Sequence, residues 1–394
     1  MSRPGQSVSA GMRGVALTMP LLVFLAAFFL WPLLNIFSTA VSNPDVHDVF
    51  PTLAEASQDW DNSQPPTDAM QQALIADVRA ADDRQAFGNA VRILNAENSG
   101  FRSLFNTTRQ SLVMGDEAAD LTAIDPRWGE QVYWQVLVSS LPRMTDRFLL
   151  AAVDLRRDEA GNIAPDPSAG GLHVNVLLRT LGISAIVVAA CIAIGLPYAI
   201  VMVTVGATMR KLLLIAVLLP LWTSSLVRVT AWFIILQNNG LMNELLMAIG
   251  ITSQPVQLLF TRLGVLIAMV HVMLPFMVLP IFSVLMAVPS NLMPAAMSLG
   301  ASYPRAVWHV LVPQSLRGVA TGALFVFMTS LGFYILPALL GGATDQLVSS
   351  LIASYALASA NWPMASALGL LLLASTIALH IVYRRVSGAE GGRA

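Results

Sequence analysis

The sequence is short of charged residues and of cysteine. Charged residues make up 11% of the 394 positions, against about 25% in soluble globular proteins, which argues against a water-soluble protein with a single core. Cys191 is the only cysteine, so an intrachain disulfide and a cysteine-rich metal site are excluded. Apolar residues, in contrast, make up 56% of the chain. This is the composition of an integral membrane protein.

The sequence also lacks the motifs of several large enzyme classes. Lys211 is the only lysine, and it does not stand in a P-loop frame, so we expect that this chain is not an enzyme and does not hydrolyse ATP by that route. No HExxH or GxSxG motif is present, and the five histidines are scattered, so no catalytic, metal or cofactor residue is predicted. Outside residues 38–172 the only acids are Glu244, Asp345 and Glu390. None of them lies inside an apolar stretch, which argues against a proton-coupled carrier.

Six apolar stretches are long enough, or nearly so, to cross a hydrocarbon layer of about 30 Å as helices. They occupy residues at about 14–37, 180–205, 212–236, 263–287, 314–340 and 364–383. The first stretch could instead be a cleaved signal peptide, but its apolar run is longer than the core of such a peptide. The predicted fold class is therefore an all-α integral membrane protein with six transmembrane helices.

Basic residues predict the orientation of these spans. They precede the first span, separate the second from the third, flank the link between the fourth and fifth, and follow the sixth: Arg3, Arg13, Arg210, Lys211, Arg305, Arg317, Arg384 and Arg385. With six spans these clusters all fall on one side, and the positive-inside rule makes that side the cytoplasm. Both termini are then cytoplasmic.

Residues 38–172 form an acidic segment between the first and second spans. This segment holds 20 acidic and 10 basic residues, which leaves 3 acidic and 12 basic residues for the rest of the chain. It contains tryptophan and phenylalanine enough for a small core, and a helical pattern from Asp68 to Leu94. We expect a large, mostly helical extracytoplasmic insertion. The predicted divisions are 1–37, 38–172, the core 173–385 and a cytoplasmic tail 386–394.

The link between the fourth and fifth spans, residues 289–313, is too polar and too broken to cross a membrane. Asn291 is a good N-cap residue, and Pro294 would fall in the first turn, where a missing N–H is harmless. The pattern predicts a helix over 292–299 that ends at Gly300, and a second short helix capped by Ser302. Such a helix pair is either a contact surface for a partner or an ordinary interfacial loop, and the spacing alone does not decide between them.

A family resemblance rests on this link. Ala295-Ala296, then Gly300 four residues on, then Val310-x-Val312-Pro313 resembles the EAA loop of ABC importer permeases, a Glu-Ala-Ala, Gly and Ile-x-Leu-Pro pattern. Pro294 stands in place of the usual glutamate. The resemblance implies that the loop docks into the ATPase subunit through these residues: Pro294, Ala295, Ala296, Leu299, Gly300, Ala301, Ser302 and Pro313.

The resemblance extends over about residues 173–385, where the sequence is similar to the spermidine/putrescine-type permeases, and related permeases move other solutes. It rests on four further stretches, Leu219–Arg228, Asn239–Leu241, Phe333–Pro337 and Leu340–Gly342. It implies a type I importer permease in a bacterial inner membrane, without cofactors, that moves a polyamine such as spermidine or putrescine. The implied partners are an ABC ATPase, a second and different permease subunit, a periplasmic solute-binding protein and the lipid bilayer, with no nucleic acid.

Polar positions within or beside the apolar stretches are candidates for the translocation path. These positions are Trp222, Thr223, Ser224, Arg228, Trp232, Glu244, Tyr334 and Asp345. A charged residue in a span is expected to face a cavity or a partner. Arg228 could equally extend to the outer interface, and Tyr334 could be a packing residue.

Two other functions compete with the importer hypothesis. Residues 38–172 could bind a ligand in a membrane-anchored sensor or assembly protein, with the six spans serving as an anchor. A secondary carrier is the third hypothesis, although the missing intramembrane carboxylates disfavour it.

Overall fold

The structure is a computed structural model and describes residues 18–61, 64–113, 120–158, 161–167, 169–342 and 345–388. Arg3, Arg13 and the last six residues of the predicted tail lie outside the described residues. The chain divides into two compact units. The first contains the residues up to Ala151 together with Arg156–Ala164 and Ala360–Ala367. The second contains Ala152–Leu155, Pro165–Ser359 and the residues from Leu368 onward.

The first unit begins with an apolar helix, α1 (Thr18–Ala40), which is long enough to cross a bilayer. One π-helical turn, Ala26–Leu30, interrupts its α-helical pattern. Its large apolar side chains are exposed, with Phe28 at 70% and Trp31 at 64%. The rest of the described chain therefore leaves this apolar surface exposed, and the helix requires lipid or another protein around it.

The insertion that follows is mostly helical, as predicted. Its helices are α2 (Pro44–His47), α3 (Pro51–Ala56), α4 (Asp68–Ala80), α5 (Arg84–Glu97), α6 (Phe101–Val113), α7 (Leu121–Ile124), α8 (Gln131–Ser139) and α9 (Arg147–Ala151), with a 3₁₀ turn at Pro126–Gly129. The predicted helical run from Asp68 is split in two. The first of the two helices ends at Ala80. The Asp83 carboxylate then accepts the N–H groups of Gln85 and Ala86 and so caps the start of the second helix.

Aromatic side chains fill the core of this unit. Phe50, Phe101, Phe105, Trp128 and Trp134 are almost completely buried. The Trp128 indole N–H donates to the Thr108 hydroxyl at 2.8 Å, and that of Trp134 donates to the Trp128 carbonyl at 2.8 Å. The insertion thus has a core of its own with its buried indole donors satisfied.

A small sheet, which the sequence did not predict, lies near the end of the 38–172 segment. It consists of β1 (Leu155–Arg157) and β2 (Ile163–Pro165). Strands of three residues lie below the length at which alternating hydrophobicity can be recognised, which explains why the pattern gave no signal.

The second unit begins with the longest helix. Its first five helices are α10 (Leu172–Thr204), α11 (Ala207–Trp222), α12 (Ser225–Ile235), α13 (Leu241–Ala248) and α14 (Arg262–Met286). Five more helices follow along the chain: α15 (Leu292–Ser298), α16 (Tyr303–Gly332), α17 (Ile335–Leu340), α18 (Val348–Ala358) and α19 (Trp362–Gly388). The start of α19, up to Ala367, is assigned to the first unit. Among the described residues α1, α10, α14, α16 and α19 are each long and apolar enough to cross a bilayer. The bent pair α11 and α12 makes a sixth span if it is counted as one.

Two predicted spans differ from the structure. The third is not one straight helix, because α11 and α12 meet at an angle of 102°. The fifth does not continue to residue 340, because α16 ends at Gly332 and α17 is a separate short helix. Hydropathy measures how apolar a stretch is, and it does not report a change in the direction of the backbone.

The core of the second unit is a close contact among α10, α14 and α16. Gly318 and Gly322 of α16 let that helix lie against the backbone of α14 at Ile281 and Met277. Cys191 is buried on α10. Small residues at helix contacts of this kind are typical of membrane proteins, where backbones can then approach closely.

Candidate functional site

The helix predicted at 292–299 is present as α15, one residue shorter at its end. Asn291 occupies the N-cap position, as predicted, and its side chain makes no capping hydrogen bond. Gly300 follows with a φ of +92°. The N–H of Gly300 donates to the Met297 carbonyl at 3.0 Å, and a second bond closes the turn one residue later. Glycine adopts this left-handed conformation without strain, which explains the sharp stop.

The outer surface of α15 is small and apolar. Leu299 is 90% exposed, the highest value among the large apolar side chains described, and Pro294 and Ala295 are also exposed. Met293, in contrast, packs against the core of the second unit. The helix is therefore fixed on one side and free on the other, which is the arrangement of a contact surface.

The second predicted helix is not separate from the fifth span. Ser302 precedes it, without a capping bond from its side chain, and the helix that starts at Tyr303 continues as α16. A π-helical turn, Val307–Leu311, lies just before Pro313. Pro313 therefore occupies the start of an α-helical segment, where its missing N–H and fixed φ are tolerated.

A cavity of about 450 Å³ adjoins α15. Its lining includes Arg210, Leu285, Met293, Tyr303 and Leu311. The Arg210 guanidinium donates to three carbonyls at the end of α10, with the shortest bond 3.0 Å to the Met202 oxygen. These bonds satisfy carbonyls that the helix itself leaves unpaired.

Three of the predicted path residues form the break between α11 and α12. Trp222 is 75% exposed, and Thr223 and Ser224 have extended backbones. The Thr223 hydroxyl donates to the Pro220 carbonyl at 2.9 Å, but Ser224 does not cap α12 with its side chain. The break leaves polar backbone groups within a predicted span, and such groups require water or a protein partner.

Arg228 and Trp232 lie on one face of α12. Arg228 donates to the Ser225 hydroxyl at 3.2 Å. The Trp232 indole N–H donates to His271 Nδ1 on α14 at 3.3 Å, with the two ring centres 5.3 Å apart. A lone histidine inside a predicted span is expected to be a hydrogen-bonded packing residue rather than a metal ligand, and His271 makes such a bond here.

The remaining path candidates lie on other elements. Glu244 is on α13, and the Tyr334 carbonyl, just before α17, accepts from Ser350 at 3.4 Å. Asp345 pairs with Arg262, with 3.0 Å between Nε and Oδ1. The eight predicted residues are therefore spread over the helix break, α12 and the segments around α13 and α17.

Another site, missed by the sequence reasoning, begins at Asp154. Its carboxylate accepts the backbone N–H groups of His173 and Val174 at the start of α10, at 3.0 and 2.8 Å. It also accepts from His173 Nδ1 at 2.8 Å, and Nε2 of the same ring bonds to the Tyr355 hydroxyl at 3.1 Å. Since these residues are far apart in sequence, no local pattern could have connected them.

Comparison with known proteins identifies similar chains. Residues 191–388 match a family model described as "Binding-protein-dependent transport system inner membrane component". The spermidine/putrescine transport system permease protein PotB of Haemophilus influenzae is 36% identical over 216 residues, which cover 55% of this chain and 76% of that protein. PotB of Escherichia coli is 30% identical over 267 residues, or 65% of this chain and 94% of that protein.

Among the solved structures, a similar chain is found in the crystal structure of a bacterial alginate ABC transporter in complex with an alginate pentasaccharide-bound periplasmic protein. The match covers 55% of this chain and 78% of that chain, with a TM-score of 0.44 and 19% sequence identity.

Proposed function

Because the chain belongs to the family of binding-protein-dependent transport system inner membrane components, and is therefore a multi-pass permease subunit of an ABC importer, we propose that it moves a polyamine. In this proposal residues 38–172 are an extracytoplasmic domain, and both termini are cytoplasmic. The basic residues at the ends of the spans support this orientation. The alternatives of a membrane-anchored sensor and of a secondary carrier are not favoured by this family membership.

The exposure of α15 supports a role for this helix in coupling the permease to its ATPase subunit. A nearly fully exposed leucine at the end of a short, well-anchored helix is a suitable contact for a groove on another protein. ATP hydrolysis then takes place on a separate ATPase subunit that receives this helix. The eight residues of the predicted coupling loop, from Pro294 to Pro313, form its contact.

The polyamine proposal takes its substrate from the names of the PotB relatives. The outer side of the second unit is compatible with an amine. A cavity of about 440 Å³ is lined there by the amides of Gln237, Asn238, Asn239 and Gln257 and by Phe260. Amide oxygens accept hydrogen bonds from ammonium groups, and an aromatic ring can stack against a cation.

The remaining partners follow from this role. A periplasmic solute-binding protein delivers the polyamine to the outer side. A second permease subunit completes the path, since α1 and the break between α11 and α12 present surfaces that the described chain leaves exposed. The predicted path residues on α12 line this path.

A substitution of Leu299 tests the proposal. The complex is purified with its ATPase and second permease, reconstituted in vesicles, and assayed for ATP-dependent uptake of labelled spermidine. Leu299→Asp places a charge in the apolar contact. Loss of an anchor residue typically costs an interface about 2 kcal/mol or more, or roughly 30-fold in affinity. We expect the ATPase to be lost during purification, and uptake to fall with it.

Leu241→Asp is the matched control. Leu241 is also an exposed leucine, at the first position of α13, where an acidic residue is compatible with the helix start. This variant should retain the ATPase. Equal retention of the ATPase by both variants would contradict the coupling role of α15. ATP-dependent uptake that excludes spermidine and putrescine would contradict the choice of solute and leave the coupling role intact.

A further inference from the structure

A polar stripe runs along α12 inside the membrane-spanning region. Ser225, Arg228 and Trp232 recur three and four residues apart, so they share one face of the helix. Trp232 bonds to His271, which is nine residues into α14. At 1.5 Å per residue His271 lies about 13 Å along the axis from Arg262, well inside a hydrocarbon layer of about 30 Å.

Arg228 has no counter-charge within the described part of the chain. Its one hydrogen bond there goes to the Ser225 hydroxyl, and its buried Nε has no acceptor. A guanidinium carries five N–H donors and remains charged in proteins, so a single neutral acceptor leaves most of its bonding capacity unused.

The full sequence has few acidic residues that could pair with Arg228. Outside residues 38–172 the acids are Glu244, Asp345 and Glu390. Asp345 is paired with Arg262, Glu244 lies beyond the end of α12 on α13, and Glu390 belongs to the predicted tail. A carboxylate that faces Arg228 inside the membrane must therefore come from another polypeptide.

The surface around Arg228 is open to such a partner. The Arg228 side chain is half-buried, and His271, which bonds to Trp232 on the same face of α12, is exposed. Contact between an arginine and lipid tails is costly, so this face meets protein or water. A cationic solute would be repelled by an unpaired guanidinium beside its path.

We propose that Arg228 forms an ion pair with a carboxylate on a membrane-spanning helix of the second permease subunit. Charge complementarity points to a partner that is different in sequence, because a second copy of this chain would bring another Arg228 and no intramembrane acid. The pair neutralises the path for a cationic solute and fixes the register of the two subunits. This inference rests on the proposed function.

A series at position 228 tests the pair in the intact complex. Arg228→Lys keeps the charge, Arg228→Gln removes it and leaves the partner carboxylate alone, and Arg228→Glu opposes it with a like charge. We expect retention of the second permease during purification to decrease in the order Lys, Gln, Glu, with at least a tenfold loss of spermidine uptake for Arg228→Glu. Arg317→Glu, at an exposed arginine on α16, is the control and should retain the subunit.

Suppressor selection then identifies the partner residue. Starting from Arg228→Glu, growth that depends on uptake should recover through replacement of one acidic residue, in a span of the second permease, by lysine, arginine or a neutral residue. Suppressors confined to this chain or to the solute-binding protein would overturn the ion pair. So would a series that keeps the second permease in every variant and changes only the KM or the rate of uptake, since Arg228 would then act on the solute.

The wild-type complex separates this inference from the proposed function. If the wild-type chain is purified without a second permease and without ATP-dependent uptake, the proposed function fails. If the wild type has both and retention does not depend on residue 228, only the ion pair fails. Membrane level and monodispersity of each variant report on folding independently of assembly.

Discussion

The contact between α14 and α16 allows a quantitative test through Gly318. A Cβ atom at this position would lie 2.7 Å from the Ile281 Cα and 2.9 Å from the Pro280 carbonyl oxygen. Both are backbone atoms, so relief of the clash requires the two helices to move apart. Overpacking of a tight core typically costs 1–3 kcal/mol, and alanine recovers about 1 kcal/mol over glycine in a helix.

The expected net effect of Gly318→Ala is a loss of about 2 kcal/mol, since backbone clashes belong to the upper part of the overpacking range. For a folded unit of roughly 150–250 residues, a loss of about 2 kcal/mol corresponds to a decrease in Tm of roughly 4–8 °C. The assay is thermal unfolding of the detergent-purified protein, followed by loss of monodispersity. Gly322→Ala should have a smaller effect, because its nearest contact is the flexible Met277 Sδ at 2.8 Å.

Gly182→Ala is the matched control in the same unit. Gly182 is also a glycine inside a long helix, α10, but nothing lies within 4 Å of the Cβ that alanine would add. The substitution should leave Tm unchanged or raise it slightly, because alanine favours the helix. If Gly318→Ala were as stable as Gly182→Ala, the close approach of α14 and α16 would not exist as described.

Two further predictions concern polar groups outside the spans. Asp154→Asn preserves a side chain that tolerates the φ of +57° but removes the charge that holds the start of α10, so we expect a loss of about 1.5–3 kcal/mol, measured as a lower Tm. Arg127→Gln removes the guanidinium whose hydrogen bonds lower the pKa of Asp125 below 3.8. The resulting stabilisation is present above that pH and is lost as pH falls through the folded-state pKa. The Tm difference between the wild type and Arg127→Gln should therefore be largest near pH 7 and narrow below about pH 4.

The sequence predicted the parts of the fold that depend on local composition. The spans at α10 and α14, the helical insertion and the stop at Gly300 all follow from hydropathy, capping and glycine, which act over a few residues. The bend at Ser224 was missed because the apolar run continues across it. A serine at a potential N-cap inside a span was the available signal.

The pairs at the candidate site could be predicted only in part. Arg228 was recognised because a charge in an apolar stretch stands out, but the bond from Trp232, on the same face, to His271 depends on how α12 packs against α14. Asp345 was recognised as a path candidate, whereas Arg262, 83 positions away in sequence, was not identified as its partner. Contacts between distant residues are set by the packing of helices, and a single sequence does not reveal that packing.

The burial of Cys191 also makes the protein convenient for chemical labelling. Its sulfur is enclosed on α10, 3.7 Å from the Val270 carbonyl oxygen, so water-soluble maleimides should not reach it in the folded state. A cysteine introduced at an exposed position would then be the one thiol that reacts, without removal of the native cysteine. Lys211, exposed in the first turns of α11, is the only lysine in the sequence and offers its ε-amine for a second and chemically different label.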